Sequence, residues 1–492
     1  MIEIKDILIS KKDERKIALI EGDKSITYRD LHLRADKNRG KLISVANNDQ
    51  TIGIFLPNSI DYAIAYFSIA YLDKTIVPIE TGLKHFHLNN IIEYCDIKLI
   101  ITNKRYGKVL YELLAGRKDR LSIFCVDSGE IEWEIGNVDN QVYINDTELE
   151  NVAILLHTSG TSSFPKRVML THKNLISNIE SNIASLKLTS SDISLITLPM
   201  FFGYCNTSQF LTHLFLGATS VIMEQPFYPE RFLRTIERYS CTNTTCVPSM
   251  LMLLMNVPSL KYDVTNLRYI CFGGGNISTI KLKYLIQKFP TIGFIQTYGQ
   301  TEASPRITAL MPEDSIKKLG SVGKPIPGVE VEVISKSGNE LKENELGQII
   351  VKGNNVFKGY FRRKELTAET IQKGWLYTGD LGKFDKDGYL YIVGRLKNVI
   401  ISGGLNIYPE EVEEILRNHP FIENALVKKE ENELLGEIPV ADIVLNSQNK
   451  LTETDILTYC LENLENYQIP KKINIVNTLP KTYNNKIKRA SY

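Results

Sequence analysis

A run of small hydroxyl residues ends in a lysine between Leu155 and His172, where the sequence reads LLHTSGTSSFPKRVMLTH. Hydroxyl groups and the free N–H groups of a turn can surround phosphate oxygens, and Lys166 would add a positive charge. The run is not a Walker loop, because Pro165 stands where that motif has its second glycine. A phosphate-binding loop and a polar surface turn both remain open here, since Ser, Thr and Gly also favour turns.

A second group of reactive side chains lies in Gln296–Ser304, which reads QTYGQTEAS and follows the apolar run IGFI. We expect the segment to leave the end of a strand, at the edge where α/β sheets bind ligands. Tyr298 offers a flat face for a purine ring, Thr301 a hydroxyl, and Glu302 a hard oxygen ligand for Mg²⁺. Taken alone, a Thr-Glu pair is more often a helix cap than a metal site.

Three further stretches carry candidate ligands of a nucleotide. The glycines Gly273–Gly275 follow the apolar residues ICF and would let the backbone approach a planar ligand. Asp380 lies between glycines in WLYTGDLGKF and could accept both hydroxyls of a ribose, although an aspartate in such a turn is usually only turn chemistry. Lys486 lies in the tail LPKTYNNKIKR, where most lysines are simply solvated.

The elements that must position these residues follow a strand–helix–strand rhythm. Thr51–Leu56 predicts a buried strand, Ser59–Leu72 a helix and Ile76–Ile79 the next strand, a pattern typical of parallel sheets covered by helices. After Thr171, a plausible N-cap, apolar residues recur at helical spacing. The predicted fold class is α/β, with two sheets of the parallel type in a large N-terminal domain.

The composition and patterning of the sequence change twice towards the C-terminal end. Residues 320–394 are rich in Gly, Pro and short β-like runs such as Val329–Ile334, which predicts a small β subdomain. Residues 395–398 form a junction, and residues 399–492 predict a small α+β C-terminal domain that includes a helix opening at Pro409.

Composition excludes several classes of protein. The chain has 492 residues and a formal net charge of +1, so nothing favours nucleic acid or an anionic membrane as a partner. No apolar run is long enough for stable membrane insertion, and Met1–Ile20 lacks a signal-peptide core. The 7 cysteines are scattered, which favours free thiols in a reducing cytoplasm over disulfides or a zinc site.

In their order and spacing, these stretches closely resemble the motifs of the adenylate-forming superfamily, which includes acyl- and aryl-CoA synthetases. The phosphate loop of that family matches Thr158–Arg167, its Tyr-Gly-x-Thr-Glu motif matches Tyr298–Glu302, and its Thr-Gly-Asp motif matches Thr378–Asp380. Its Gly-Arg-x-Lys hinge matches Gly394–Lys397, and its terminal lysine matches Lys486. The resemblance covers nearly the whole chain and identifies residues 1–394 as an AMP-binding adenylation domain.

The resemblance implies a role for each matched residue. Such enzymes join a carboxylic acid to Mg²⁺-ATP, release pyrophosphate, and pass the acyl group to a thiol. The implied catalytic residues are Lys486, Thr301 and Lys166, and the implied Mg²⁺ ligand is Glu302. The implied ligands of ATP or AMP are Thr158, Ser159, Gly160, Thr161, Ser162, Gly273, Gly274, Gln296, Tyr298, Gly299, Asp380 and Arg395.

The family also implies a second half-reaction, for which the C-terminal domain is mobile and rotates. Lys397 matches the hinge position, and the Ser402, Gly403 and Gly404 loop would then face the thiol. The thiol is expected to be that of CoA, with the phosphopantetheine arm of a separate carrier protein as the alternative. A nucleotide binder without turnover and a luciferase-like oxygenase are weaker alternatives.

The sequence departs from the family at positions that matter for the acid. Ser163 and Arg167 replace two loop glycines, and Phe202 replaces the histidine of the usual P-L-F-H motif. The predicted acid pocket comprises Phe201, Phe202, Gly203 and Asn206. The stretch FFGYCNTSQF has no aspartate to hold an α-ammonium, and an unpaired ammonium is costly to bury. We therefore expect a fatty or aryl acid rather than an amino acid.

Overall fold

The computed structural model describes residues 2–46, 49–136, 146–157, 166–258, 261–275, 277–446, 451–480 and 489. Within those ranges, two large sheets have parallel centres and antiparallel edges. This arrangement confirms the predicted α/β class.

The first large sheet carries the Tyr-Gly-x-Thr-Glu motif near one edge. Its central strands are parallel because each is connected to the next through a helix. Its strands, in spatial order, are Lys324–Pro325, Arg306–Leu310, Gly293–Gly299, Tyr269–Phe272, Asn243–Cys246, Ile193–Ile196, Thr219–Ile222, Ile17–Glu21 and Lys24–Thr27.

The second large sheet carries the two strands that flank the predicted phosphate loop. Val152–His157 and Arg167–Thr171 pair antiparallel, and Gly359–Tyr360 extends the sheet beyond them. Its remaining strands, in spatial order, are Thr75–Ile79, Thr51–Phe55, Leu99–Thr102, Leu121–Cys125 and Glu130–Ile135.

Two smaller sheets follow in the chain. The third is antiparallel and comprises Val329–Ile334, Gly347–Gly353, Trp375–Phe384, Ile371–Gln372 and Leu390–Arg395. The fourth comprises Leu405–Ile407, Ile400–Ser402, Gly436–Leu445, Ile422–Asn432 and Lys472–Ile475.

Helices cover these sheets, and local sequence explains where several begin. Ser59 caps the helix Ile60–Ala70, which is buried on nearly every side, and Thr171 forms a capping box with Asn174, as its sequence position predicts. The α-helices are Asp6–Ile9, Tyr28–Leu42, Ile60–Ala70, His85–Tyr94, Lys104–Leu113, His172–Leu186, Gly203–Cys205, Thr212–Leu216, Pro229–Tyr239, Pro248–Leu254, Thr279–Lys288, Lys364–Thr370, Pro409–Asn418 and Glu453–Asn463. Asn206–Leu211 is a π-helix, and Thr147–Leu149, Thr301–Ala303 and Leu396–Asn398 are 3₁₀ turns.

The hydrophobic cores follow the sheets. One large core cluster contains residues of both large sheets, among them Ile54, Ile76 and Ile295. A separate cluster lies under the fourth sheet and includes Ile400 and Ile473. In the part of the chain described above, no helix is both long and apolar enough to cross a membrane.

Candidate active site

The adenine part of the predicted site lies beside the end of the strand Tyr269–Phe272, next to the parallel strand Gly293–Gly299. Phe272 is the register partner of Gln296, so the glycines after Phe272 lie beside the tyrosine motif. A Cβ atom on Gly273 would lie only 2.5 Å from the carbonyl oxygen of Thr297, which explains why this position is a glycine. Gly274 has a φ of +77°, a left-handed conformation that also favours glycine.

The strand that carries Tyr298 is longer than the sequence predicted. The expected strand ended before Gln296, whereas the observed strand is Gly293–Gly299, so the first half of the motif is itself strand. The pairing of this segment with Arg306–Leu310 explains the extension, because the antiparallel partner continues the ladder as far as Gly299. Thr301 and Glu302 then occupy a 3₁₀ turn at the end of the strand.

Asp380 is held from both sides by two of the predicted nucleotide ligands. The hydroxyl of Tyr298 donates to its Oδ2 at 2.7 Å, and Nε of Arg395 lies 2.7 Å from its Oδ1. Asp380 is buried, and burial raises its pKa, although Arg395 and the Tyr298 hydroxyl both oppose that rise. Asp380 and Arg395 are also register partners on two antiparallel strands of the third sheet, so backbone pairing holds their side chains next to each other.

Glu302 and Lys166 meet at a residue that sequence reasoning missed. The hydroxyl of Tyr360 donates to Oε1 of Glu302 at 2.7 Å, and Nζ of Lys166 lies 4.9 Å from the centroid of the Tyr360 ring. Tyr360 comes from a short strand on the edge of the second sheet. The motif residues of the first sheet and the lysine of the second therefore converge on one side chain.

The predicted acid pocket approaches Thr301 at Gly203. A Cβ atom on Gly203 would lie 3.4 Å from Cγ2 of Thr301, so a larger side chain here would crowd the motif threonine. The rings of Phe201 and Phe202 lie 4.6 Å apart, just before this glycine. Asn206 is fully buried on the π-helix, where its Oδ1 accepts a hydrogen bond from Tyr66 at 3.4 Å.

Lys397 lies at an exposed 3₁₀ turn next to the nucleotide residues. Partial burial, together with the nearby charges of Arg395 and Lys166, lowers the pKa of Lys397. The positive charges of Arg395 and Lys166 thus both lie near Lys397, a distribution that suits a polyphosphate. The turn is tied to the next helix by Asn398, whose Nδ2 donates to Oε1 of Glu410 at 2.7 Å.

The predicted thiol-side residues form a tight turn in the fourth sheet. Ser402 ends one strand and is buried, and Gly403 and Gly404 connect it to the next strand with φ values of 55° and 82°. Glycine adopts two such left-handed conformations in succession with the least strain. The turn belongs to a different sheet from Asp380 and Glu302.

The phosphate-loop residues and the terminal lysine lie outside the described residues: Thr158, Ser159, Gly160, Thr161, Ser162 and Lys486. The tail is nevertheless anchored close to Lys486. Nη2 of Arg489 lies 2.6 Å from both carboxylate oxygens of Glu413, and Nη1 donates to the carbonyl of Val427 at 2.8 Å. Glu413 is buried, so this pair fixes the chain three residues beyond the lysine.

Comparison with known proteins identifies the family of this chain. Residues 9–361 match the family model described as AMP-binding enzyme, and residues 411–486 match the AMP-binding enzyme C-terminal domain. The 2-succinylbenzoate–CoA ligase of Bacillus licheniformis is 34% identical, over 96% of each chain. Two structures of the o-succinylbenzoate CoA synthetase of Bacillus subtilis, one with the acyl-adenylate OSB-AMP and one with ATP and a magnesium ion, superpose with a TM-score of 0.85 at 30% identity. They cover 99% of this chain, which in turn covers 97% and 98% of them.

The chain therefore belongs to the AMP-binding enzyme family, the adenylate-forming superfamily that its motifs predicted. It is an enzyme of the AMP-forming acid–CoA ligase class.

Proposed function

We propose that this enzyme activates an aryl carboxylic acid with Mg²⁺-ATP, forms the acyl-adenylate, and transfers the acyl group to CoA. The observation that carries the proposal is the convergence of Asp380, Tyr298 and Arg395 beside the Glu302–Tyr360–Lys166 cluster. The same reaction type is supported by the relative solved with an acyl-adenylate. An acid attacking an already charged α-phosphate needs charge neutralisation and alignment, which these side chains supply.

In this proposal, separate groups of residues bind the adenine, the ribose and the phosphates of the nucleotide. Gly273, Gly274, Gln296 and Gly299 line the adenine together with the ring of Tyr298. Asp380 accepts the ribose hydroxyls, and the ion pair with Arg395 favours the charged form of that carboxylate. Lys166 and the loop residues Thr158–Ser162 bind the outer phosphates.

At the reacting centre, Thr301 donates to the α-phosphate, and Lys486 bridges the incoming carboxylate and the α-phosphate oxygens. Lys486 suits this role because a compact ammonium on a long stem neutralises both groups. The Arg489–Glu413 pair supports the assignment, since it holds the tail close to that lysine.

The residues present fit a magnesium ion at Glu302. Tyr360 engages one carboxylate oxygen and orients the group. Carboxylate oxygen is the donor that Mg²⁺ prefers, and a related synthetase was solved with ATP and magnesium. The bound ion would supply neutralisation of phosphate charge.

The acid enters against Gly203, with Phe201 and Phe202 as aromatic walls and Asn206 deeper in the core. We further propose that residues 395–398 are a hinge between residues 1–394 and residues 399–492. Rotation about Lys397 would replace Lys486 by the Ser402–Gly404 turn for the thiol step. The separate hydrophobic cluster under the fourth sheet supports a unit that can move as a body.

We propose a cytoplasmic location. All 7 cysteines are unpaired and buried, as is usual in a reducing compartment.

The test is acid-dependent pyrophosphate release by the purified chain, followed by mass spectrometry of the thioester. Aryl acids with Mg²⁺-ATP are expected to release pyrophosphate and, with CoA, to give an aryl-CoA thioester. Fatty acids and proteinogenic amino acids complete the panel, and a preference for any amino acid would contradict the proposed pocket. Transfer of the acyl group to a holo carrier protein but not to CoA would show that the acceptor is a carrier protein, the alternative given above.

A further inference from the structure

Glu410 contacts separate parts of the chain at the junction between the two proposed domains. It is the second residue of the helix Pro409–Asn418, and only 14% of its side chain is exposed. Its Oε1 accepts a 2.7 Å hydrogen bond from Nδ2 of Asn398, in the proposed hinge turn. The same oxygen lies 3.6 Å from Nη2 of Arg489, in the C-terminal tail. One carboxylate oxygen therefore joins the turn to the tail.

The other carboxylate oxygen of Glu410 lies against the end of the larger proposed domain. A Cβ atom on Gly394 would lie 2.5 Å from Oε2, so the absent side chain of this glycine makes room for the carboxylate. Oε2 is buried and has no hydrogen-bond partner among the described residues. The polar contacts of Glu410 described above are therefore made by Oε1 alone, and one substitution removes them together.

The charge of Glu410 also reaches the proposed ribose residues. Burial and, to a smaller extent, the charge of Glu410 raise the pKa of Asp380. The charge of Asp380 and, to a smaller extent, that of Glu410 raise the pKa of Arg395. In the observed orientation, the tail that contacts Glu410 thus lies next to the proposed ribose site.

The contact with the tail matters because Arg489 follows the proposed catalytic Lys486 by three residues. Three residues span at most about 11 Å, so the position of Arg489 limits how far from that point Lys486 can lie. Glu413 binds the same guanidinium, but it belongs to residues 399–492 and would move together with the tail. Glu410, in contrast, also contacts the hinge turn and the end of the larger domain.

We infer that Glu410 is a positioning residue for adenylation, which holds the hinge in the orientation that presents Lys486 to the α-phosphate. The inference rests on the proposed function and adds to it a residue that acts through Lys486. Gly394 and Glu410 lie on opposite sides of the proposed hinge, so rotation for the thiol step would separate them. The contacts of Glu410 should therefore stabilise the orientation for adenylation and not the orientation for thiol transfer.

The test measures the two half-reactions separately, with the full chain and saturating substrates. Adenylation is followed as the single-turnover rate of acyl-adenylate formation from Mg²⁺-ATP and the best aryl acid of the panel above. Thiol transfer is followed as the rate of thioester formation from the same acyl-adenylate, supplied together with CoA.

Glu410→Ala should slow adenylation at least about 10-fold, because it removes a charged hydrogen bond and an ion pair from the orientation that reacts. The rate of thiol transfer and the KM for ATP should both stay within about 3-fold of wild type, because no proposed ligand of the nucleotide is lost. Glu410→Gln should recover part of the adenylation rate, since an amide oxygen can still accept from Asn398.

Asn398→Ala tests the link itself. It removes the donor to Glu410 and should also slow adenylation more than thiol transfer. The double variant Asn398→Ala/Glu410→Ala should be no slower in adenylation than Glu410→Ala alone, because the effect of Asn398 is exerted through Glu410.

Glu414→Ala is the matched control. It removes a carboxylate one turn further along the same helix, where the neighbouring positive charge is that of Arg417. Both half-reactions of this variant should stay within about 3-fold of wild type. If Glu410→Ala fails to fold, as judged by its melting temperature, Asn398→Ala at a half-buried turn position decides the question.

Three results would each overturn the inference and leave the proposed function intact: an equal loss in both half-reactions, unchanged adenylation in folded Glu410→Ala, or losses that multiply in the double variant. Failure of the wild type to form an acyl-adenylate from any acid would instead overturn the proposed function.

Discussion

The hydroxyl of Tyr360, on an edge strand of the second sheet, donates a 2.7 Å hydrogen bond to Oε1 of Glu302, which is 58 positions away in the 3₁₀ turn that follows a strand of the first sheet. Nζ of Lys166 lies 4.9 Å from the centroid of the same ring. One phenol thus sets the position of the candidate metal ligand and the candidate phosphate ligand together.

Tyr360→Phe should therefore weaken the use of Mg²⁺-ATP. A hydrogen bond to a charged group contributes about 1.5–3 kcal/mol, so kcat/KM for Mg²⁺-ATP should fall at least about 10-fold. The Mg²⁺ concentration for half-maximal pyrophosphate release should rise. Tyr239→Phe is the matched control, because it removes a 2.8 Å hydrogen bond to Gly22 on the surface. Equal Mg²⁺ dependence in both variants would show that the Tyr360 hydroxyl only packs.

Lys486→Ala should separate the two half-reactions. Loss of one charge contact in the transition state should slow adenylation by about 10²-fold or more. The rate of thioester formation from a supplied acyl-adenylate should fall far less, because in the proposed mechanism Lys486 has left the site before the thiol step. Lys488→Ala, two residues along, is the control, and an equal loss in both half-reactions would contradict the two-conformation mechanism.

Lys397→Pro should restrict the proposed hinge. Proline fixes φ near about −65° and also limits Leu396. The ratio of pyrophosphate release to thioester formation should change, in whichever direction the trapped orientation dictates. The variant should stay folded, because Lys397 is exposed. Lys397→Ala controls for the side chain, and an unchanged ratio in folded Lys397→Pro would make the residue an ordinary turn position.

His157, the last described residue before the phosphate loop, should make the enzyme less stable in acid. Burial, with the charge of Arg167, lowers its pKa from 6.5 to about 3. Below pH about 6.5 the unfolded chain binds a proton at this site and the folded chain does not. The free energy of unfolding therefore decreases as the pH is lowered from about 6.5 to about 3.

The measurement is the free energy of unfolding at pH 7.5 and 5.0. Wild type should lose up to about 2 kcal/mol more than His157→Gln over this interval, since each pH unit below about 6.5 contributes at most about 1.4 kcal/mol. His87→Gln, at an exposed position, is the control. Parallel pH dependences of wild type and His157→Gln would contradict the expectation.

The sequence was sufficient for the fold class and for the family, because the motifs that identify the family are short and local. Thr171 caps a helix where the pattern placed it, because capping depends on neighbours within one turn. The strand through Tyr298 was predicted too short, because its end is set by pairing with Arg306–Leu310 and not by its own residues.

The partners of the motif residues were beyond prediction. Nothing in the run Gly359–Tyr360 signals a hydrogen bond to Glu302, since that contact depends on how two sheets meet.

Asp380 is shared between Tyr298 and Arg395, and Arg395 directly precedes the turn Leu396–Asn398. In the proposed function, a ribose bound by Asp380 would weaken the ion pair with Arg395, and a turn that displaces Arg395 would leave the carboxylate to the ribose alone. Such coupling is reciprocal. If a change in the conformation of the turn alters nucleotide affinity by some factor, nucleotide binding shifts the conformational equilibrium of the turn by the same factor. The ion pair between Asp380 and Arg395 would thus couple binding of the ribose to the conformation of the turn Leu396–Asn398.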